Sequence, residues 1–311
     1  MNFKRLLFVF LVLPLFGIAQ NDVLFFSYFK GNGEDGLHLA YSNDGYKWNT
    51  LKNDESFLTP AVGESVLMRD PCIIFGPDKQ FHMVWTAGWT EKGIGYASSK
   101  DLITWSEQKY IPVMEHEATA RNCWAPEIVY DDEEKQYMIF WSTTIPGRFP
   151  ETDAIGDDGY NHRMYYVTTN DFETFSDTKL LYDRGFNVID GSILKLKNKY
   201  VLFLKDETRW PDPEKNIRWA TATTITGPYS DASEPITGNY WAEGPTCIKS
   251  GDKYIVYFDK YRKKEMGAVE SSDLKNWKDI SEKISFTGGV RHGTVFKVPG
   301  NIAAKIIEQY K

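Results

Sequence analysis

Five short stretches of this 311-residue chain set a charged side chain beside proline or glycine at the start of an apolar run. They are Arg69-Asp70-Pro71, Trp124-Ala125-Pro126-Glu127, Ile189-Asp190-Gly191, Ala242-Glu243-Gly244-Pro245 and Arg291-His292-Gly293. Four carry a carboxylate and the fifth a histidine. A charge beside a buried strand is costly unless it is paired or useful. One such dipeptide alone reads as a turn, but four in equivalent positions point to a shared polar site. Crowded carboxylates push one another's pKa values apart, which separates a proton donor from a proton acceptor. Cleavage of a glycosidic bond needs that division: a donor for the leaving oxygen, and a carboxylate acting on the anomeric carbon or on water.

The elements that must gather these stretches repeat along the chain. A short strand, Ser or Thr, a turn that usually holds Asp, and an aromatic recur five times: Leu39–Trp48, Tyr96–Trp105, Tyr166–Phe175, Trp219–Tyr229 and Ala268–Trp277. The closing aromatics are 57, 70, 54 and 48 residues apart, the length of a four-stranded propeller blade with its loops. Asp and Asn bond their own nearby backbone and favour tight turns. Upstream of four copies lies a β-branched and aromatic run, Phe81–Ala87, Tyr137–Thr144, Tyr200–Asp206 and Tyr254–Lys260. Further upstream lie Asp70–Phe75, Pro126–Tyr130, Asp190–Leu196 and Pro245–Ser250, which read as the innermost strands.

The first copy lacks that innermost strand and is preceded only by Val23–Phe29, whereas His292–Val298 is a spare strand at the other end. The two ends complement each other. The expected fold is an all-β, five-bladed β-propeller whose C-terminal strand pairs with the N-terminal blade and closes the ring, leaving only short, protected edges. A β-sandwich does not account for one missing and one spare strand. Residues 20–311 read as one catalytic domain, with 301–311 a short helix or tail.

In this order and at this blade spacing, RDP, WAPE, IDGS, EGP and RHG resemble glycoside hydrolase family 43, from about Asp22 to Val298. The resemblance implies an α-L-arabinofuranosidase, β-xylosidase or arabinanase type of activity that inverts the anomeric centre. It implies Asp70 as general base, Asp190 as the aspartate that tunes the acid and orients substrate, and Glu243 as general acid. The acid–base separation would be roughly 6.5–9.5 Å, with a water between. His292 matches a histidine that in many members helps hold a water-coordinated calcium or other cation. A hydrogen-bonded core or substrate-contacting histidine is the alternative, and hydrolysis itself requires no cofactor. Two departures stand out. Glu127 occupies a mainly structural position that is usually Asp in the family. Asp70 follows nearly a full blade, a circularly shifted arrangement that bears on its assignment as base.

Arg69, Trp124, Trp241, Arg291 and His292 are the expected substrate contacts, because they flank or belong to the motifs. Trp85 sits in an alternating strand and reads as core; Trp89 and Tyr240 lie near the funnel, and Arg121, Asn122, Lys205 and Asp206 are further polar candidates. The longest repeat interval holds Pro146–His162, rich in Pro, Gly and acidic residues. It reads as a loop bordering the pocket or an exposed excursion, with Asp153, Asp157 and Asp158 solvated rather than binding calcium.

The chain opens with Lys4 and Arg5, an apolar run from Leu6 to Phe16 and small residues through Ala19. This reads as a signal peptide, residues 1–19, cleaved near Ala19/Gln20, which implies a periplasmic or extracellular protein without membrane insertion. Net charge is −7, which argues against nucleic acid or an anionic membrane as partner. Cys72, Cys123 and Cys247 read as small core residues rather than a disulfide framework. The expected function is a secreted inverting glycoside hydrolase, exo-acting on arabinofuranosyl, xylosyl or related residues of oligo- or polysaccharides. A retaining fructan-cleaving or sialidase-type propeller, or a carbohydrate-binding propeller without turnover, is the alternative. The fructan-cleaving type would need an Asn-Asp-Pro nucleophile, but Val23 follows Asn21-Asp22, and no Glu-Cys pair occurs.

Overall fold

In the computed structural model, residues 21–311 are described; the expected leader lies outside them. The chain first lays down β1 (Val23–Tyr28), β2 (His38–Ser42) and β3 (Lys47–Thr50). There follow β4 (Arg69–Phe75), β5 (Phe81–Thr86), β6 (Ile94–Ser99) and β7 (Lys109–Ile111), then β8 (Trp124–Asp131), β9 (Gln136–Thr144), β10 (His162–Thr169) and β11 (Lys179–Tyr182). Next come β12 (Val188–Leu196), β13 (Lys199–Asp206) and β14 (Asn216–Ala222), and β15 (Glu243–Ser250), β16 (Lys253–Lys260), β17 (Glu265–Ser271) and β18 (Lys278–Asp279). The chain ends with β19 (Ser285–Phe286), β20 (Gly293–Val298) and helix α1 (Gly300–Tyr310).

These strands form five sheets, the blades of a propeller. Four follow chain order from inside to outside, starting at β4, β8, β12 and β15. The fifth is β20-β1-β2-β3-β19. There β20 runs antiparallel to β1, from Tyr28 opposite Gly293 to Val23 opposite Val298, and closes the ring as the complementary ends of the sequence require. The inner strands β20, β4, β8, β12 and β15 neighbour one another around the axis, and β15 meets β20 again.

Each blade is apolar on both faces because it is covered on both sides, and the core is accordingly split into five layers between blades. Ile73, Met83 and Trp85 pack against Phe25 and Phe296. Val84 and Tyr96 pack against Ile128 and Trp141, Phe140 and Met164 against Leu202 and Leu204, and Phe203 and Ile217 against Val256 and Phe258. Tyr257 and Ala268 complete the circle against Phe26 and Trp48. At about 25 cal/mol per Å² of apolar area buried, this interdigitation is the main favourable contribution to the fold. α1 lays Ala303 and Ile306 onto the layer beside β20.

Four of the recurring Asp turns share one set of bonds. Asp44 Oδ1 accepts from the N–H groups of Tyr46 and Lys47. Asp101, Asp171 and Asp273 do the same two and three residues ahead. The residue after each Asp is left-handed, Gly45 in the first copy and Leu102, Phe172 and Leu274 in the others. The last three are buried, so packing offsets the conformational cost. The fourth copy has no Asp, and its blade departs from the expected four strands. After Tyr229, residues 230–236 follow β14 through three spaced bonds, Ser230 to Thr221, Ser233 to Trp219 and Ile236 to Ile217, and that sheet has three strands. Conversely β19 joins β3 in parallel and gives the closing blade five.

Candidate active site

Where the inner strands begin, the backbone does the same thing four times. The register of β4, β8, β12 and β15 against its neighbour slips between Arg69 and Cys72, Trp124 and Glu127, Ile189 and Ser192, and Glu243 and Thr246. In each bulge one residue is left-handed: Asp70 (φ 52°), Ala125 (φ 46°), Asp190 (φ 55°) and Gly244 (φ 59°). Asp and Gly tolerate that region best. A bulge twists a strand and re-aims its side chains, and these four sit at the mouth of the funnel. At Gly244 a Cβ would come within 2.3 Å of His292, so glycine is required there for spatial reasons as well.

The carboxylates converge on one cavity of about 310 Å³ lined by Asp70, Asp190 and Glu243 together with Arg69, Arg291 and His292. Each is tied to a neighbouring blade. Thr86 donates to Asp70 Oδ2 (2.9 Å) and accepts from the N–H of Ala125 (2.8 Å), which bridges two blades through one hydroxyl. Asp70 Oδ1 lies 3.2 Å from His292 Nδ1. Gly244 donates its N–H to Asp190 Oδ2 (3.1 Å). Glu243 lies between two cations, with Lys205 Nζ 3.2 Å from Oε2 and the Arg291 guanidinium 3.8 Å from Oε1.

Burial, with Glu243 and Asp70 adding to it, lifts Asp190 to about 6 against the opposing pull of His292 and Lys205. Burial opposes the charged form of His292, but Asp70, Asp190, Glu243 and Glu127 outweigh it and raise its pKa. Lys205 is buried too, yet Glu207 and Glu243 hold it charged, well above its ordinary value.

All eight residues expected from the sequence as catalytic or substrate-binding line this cavity. Arg69 is clamped between the rings of Phe29 and Trp89 and donates to Asn32. Trp124 donates its indole N–H to the carbonyl of Trp89 and stands edge-on to that ring, so the two form one wall. Trp241 lines the cavity with Arg262 over its ring. Of the further candidates, Trp89 and Lys205 line it. Trp85 is fully buried core. Tyr240 turns away to bond Asp279, Asp206 pairs with Arg218, and Asn122 is a buried link to Ser142 and Thr144. Arg121 lies over the Tyr160 ring. Cys72 and Cys123 are buried and Cys247 is half-buried, and all three are free thiols.

The sequence reading passed over Thr86, Glu207, Lys215, Asp259 and Tyr261. Asp157, expected to be solvated, instead reaches the cavity and pairs with the buried Lys215 at 2.7 Å. The loop that carries it is fastened by the N–H groups of Arg209 and Trp210, both bonded to the carbonyl of Ile155. A readable signal existed for Thr86 and Asp259, and it applies equally to Lys205. Each second strand ends its apolar run on a polar residue, and antiparallel pairing sets that residue opposite a motif: Thr86 opposite Arg69, Lys205 opposite Ile189, Asp259 opposite Glu243.

Deeper along the axis, Cys72, Glu127, Ser192, Thr246 and Thr294 contribute one side chain from each inner strand to a second cavity. Glu127 accepts from Thr294 (2.9 Å), and its burial lifts it to about 7. Among the described residues, no three His, Cys, Asp or Glu side chains are arranged to hold a metal ion directly.

Comparison with known proteins adds the following. Residues 22–301 match the profile of a family-43-related group described as a probable glycosyl hydrolase domain. An α-L-arabinofuranosidase of Bifidobacterium longum subsp. longum is 23% identical over 279 residues, with 74% of this chain and 26% of that protein covered. The chain thus spans about a quarter of that relative's length. An α-L-arabinanase of Cellvibrio cellulosa, solved with arabinohexaose, superposes with a TM-score of 0.58 at 14% identity, over 88% of this chain and 99% of that one. An α-L-arabinofuranosidase of Lactobacillus brevis superposes at 0.51 with 15% identity, over 69% and 72%. At these identities the two structures share the fold.

Proposed function

This chain belongs to the family-43-related glycosyl hydrolases, and from that premise we propose that it is an exported, inverting glycoside hydrolase. Its substrates are arabinofuranosyl, xylosyl or related residues at the ends of oligo- or polysaccharides. The observation that carries the reading is the convergence of Asp70, Asp190 and Glu243 on one walled cavity.

In the proposed reaction each of these groups has one task. A sugar enters between the Trp89–Trp124 wall and Trp241, with its scissile bond across the carboxylates. Asp70, held by Thr86 and His292, takes a proton from a water that attacks the anomeric carbon. Glu243 gives its proton to the departing oxygen from the other side. Asp190, fixed to the blade of Glu243 by the Gly244 N–H, carries the charge that orients the sugar and sets the field at the acid. A cavity of about 310 Å³ suits a terminal sugar better than a long internal segment, which favours exo action. Residues 1–19 support export.

The test is a screen of purified protein against aryl α-L-arabinofuranoside, β-D-xyloside and β-D-galactofuranoside. Release of aryl alcohol from at least one supports the proposal. Tight glycan binding without release from any, unchanged in Glu243→Gln, would establish a binding propeller instead.

A further inference from the structure

Each of the two cations that flank Glu243 also pairs with a second carboxylate. Lys205 Nζ lies 2.6 Å from Glu207 Oε2. Arg291 Nε donates to Asp259 Oδ2 at 2.8 Å. We propose that Glu207 and Asp259 are positioning residues for proton donation: they hold Lys205 and Arg291 in place and balance their charge, so that Glu243 is oriented by two cations without being fixed as their permanent counter-ion. The inference rests on the reading of Glu243 as the acid.

The charges around Glu243 make the case. From β13 it faces Lys205, and from the loop before β20 it faces Arg291 and His292. From β12 it faces Asp190, from β16 Asp259, and just beyond β16 Tyr261. A general acid must hold its proton when substrate arrives, and an unbalanced cation within 4 Å favours the carboxylate form instead. Lys205 and Arg291 would supply two such charges. Glu207 and Asp259, one paired with each cation, return the balance toward neutral.

Neither carboxylate is explained by surface solvation. Asp259 is fully buried and its Oδ1 has no hydrogen-bond partner, a costly arrangement for a merely structural ion pair. Glu207 is shared: it also holds Lys215 at 2.5 Å, and Lys215 is anchored to Asp157 of the long loop. Glu207 is therefore fixed from two sides and cannot follow Lys205 if that side chain swings toward Glu243.

The experiment compares pH profiles of kcat/KM for the parent, Glu207→Gln, Asp259→Asn and the double variant Lys205→Met/Glu207→Gln. Each is assayed on an alkyl glycoside and on an activated aryl glycoside of the same sugar. On the alkyl substrate the alkaline limb should move down by about one pH unit in either single variant. The aryl substrate, which needs little protonation, should be much less affected, and the double variant should return the limb toward the parent. Equal loss on both substrates at every pH, or an unmoved limb in a folded Glu207→Gln, overturns the proposal. If buried Asp259→Asn does not fold, Glu207→Gln and its double variant decide alone. A Glu243→Gln variant that loses both substrates equally would instead remove the reading of Glu243 as acid, whatever Glu207→Gln does.

Discussion

The backbone N–H of Gly244 donates to Asp190 Oδ2 across 3.1 Å, and so joins the third inner strand to the fourth one residue from Glu243. Asp190 is buried, and burial, helped by Glu243 and Asp70, lifts it to about 6. Its charge therefore appears as pH rises through about 6. On an unactivated glycoside, kcat/KM should climb through that range to a plateau. Asp190→Asn should lose that limb and about 10²-fold or more of the plateau rate; an unchanged limb in the variant would contradict this role.

Glu127 offers a stability test away from the chemistry. Burial raises it from 4.5 to about 7. For a raised group, stability is fully present below the unfolded value and is lost as pH rises through the folded one. The parent should lose on the order of 1–3 kcal/mol from this group between about pH 4.5 and 7. Glu127→Gln keeps an oxygen for Thr294 but has no such loss. The difference in Tm, variant minus parent, should therefore grow more positive from pH 5 to pH 8. His292 carries a loss of the same sign in both proteins, so the comparison is made at each pH.

Thr86 holds Asp70 and the N–H of Ala125 through one hydroxyl. Thr86→Val keeps the shape but leaves a buried N–H without a partner and Asp70 held by His292 alone. Unfolding in urea should show a loss of about 1–3 kcal/mol, and kcat should fall about tenfold. A variant equal to the parent in both would mean that the hydroxyl does not position Asp70.

Much of this site could be read from the sequence because propeller geometry repeats. Once Asp70, Asp190 and Glu243 fall at the starts of the inner strands of three blades, circular closure must bring them together, and the spare strand at His292–Val298 shows that the ring closes. Glu207, Lys215 and Asp259 were harder. Asp259 is placed by the register of β16 against β15, which the bulge at Gly244 shifts, and Glu207 and Lys215 lie in the loop between β13 and β14. The three-stranded blade was hidden for a related reason: its turn keeps the closing aromatic Tyr229 but lacks the Asp that sets the outer strand.

In the proposed mechanism Asp70 activates a water, which attacks with inversion. Proton NMR during the first minutes of hydrolysis should show the anomer opposite to that of the substrate, before mutarotation. The same anomer as the substrate would require a covalent intermediate and a nucleophilic carboxylate.

The most direct measurement compares Glu243→Gln and Asp70→Asn across a series of glycosides whose leaving groups range from alkyl alcohol to nitrophenol. General acid help is worth about 10²–10⁴-fold. Glu243→Gln should lose that much on the alkyl substrate and little on the nitrophenyl one, whereas Asp70→Asn should lose about 10³-fold or more on both. If Glu243→Gln falls equally along the whole series, or if Asp70→Asn retains turnover of the nitrophenyl glycoside, the assignment of acid and base to these two residues is wrong.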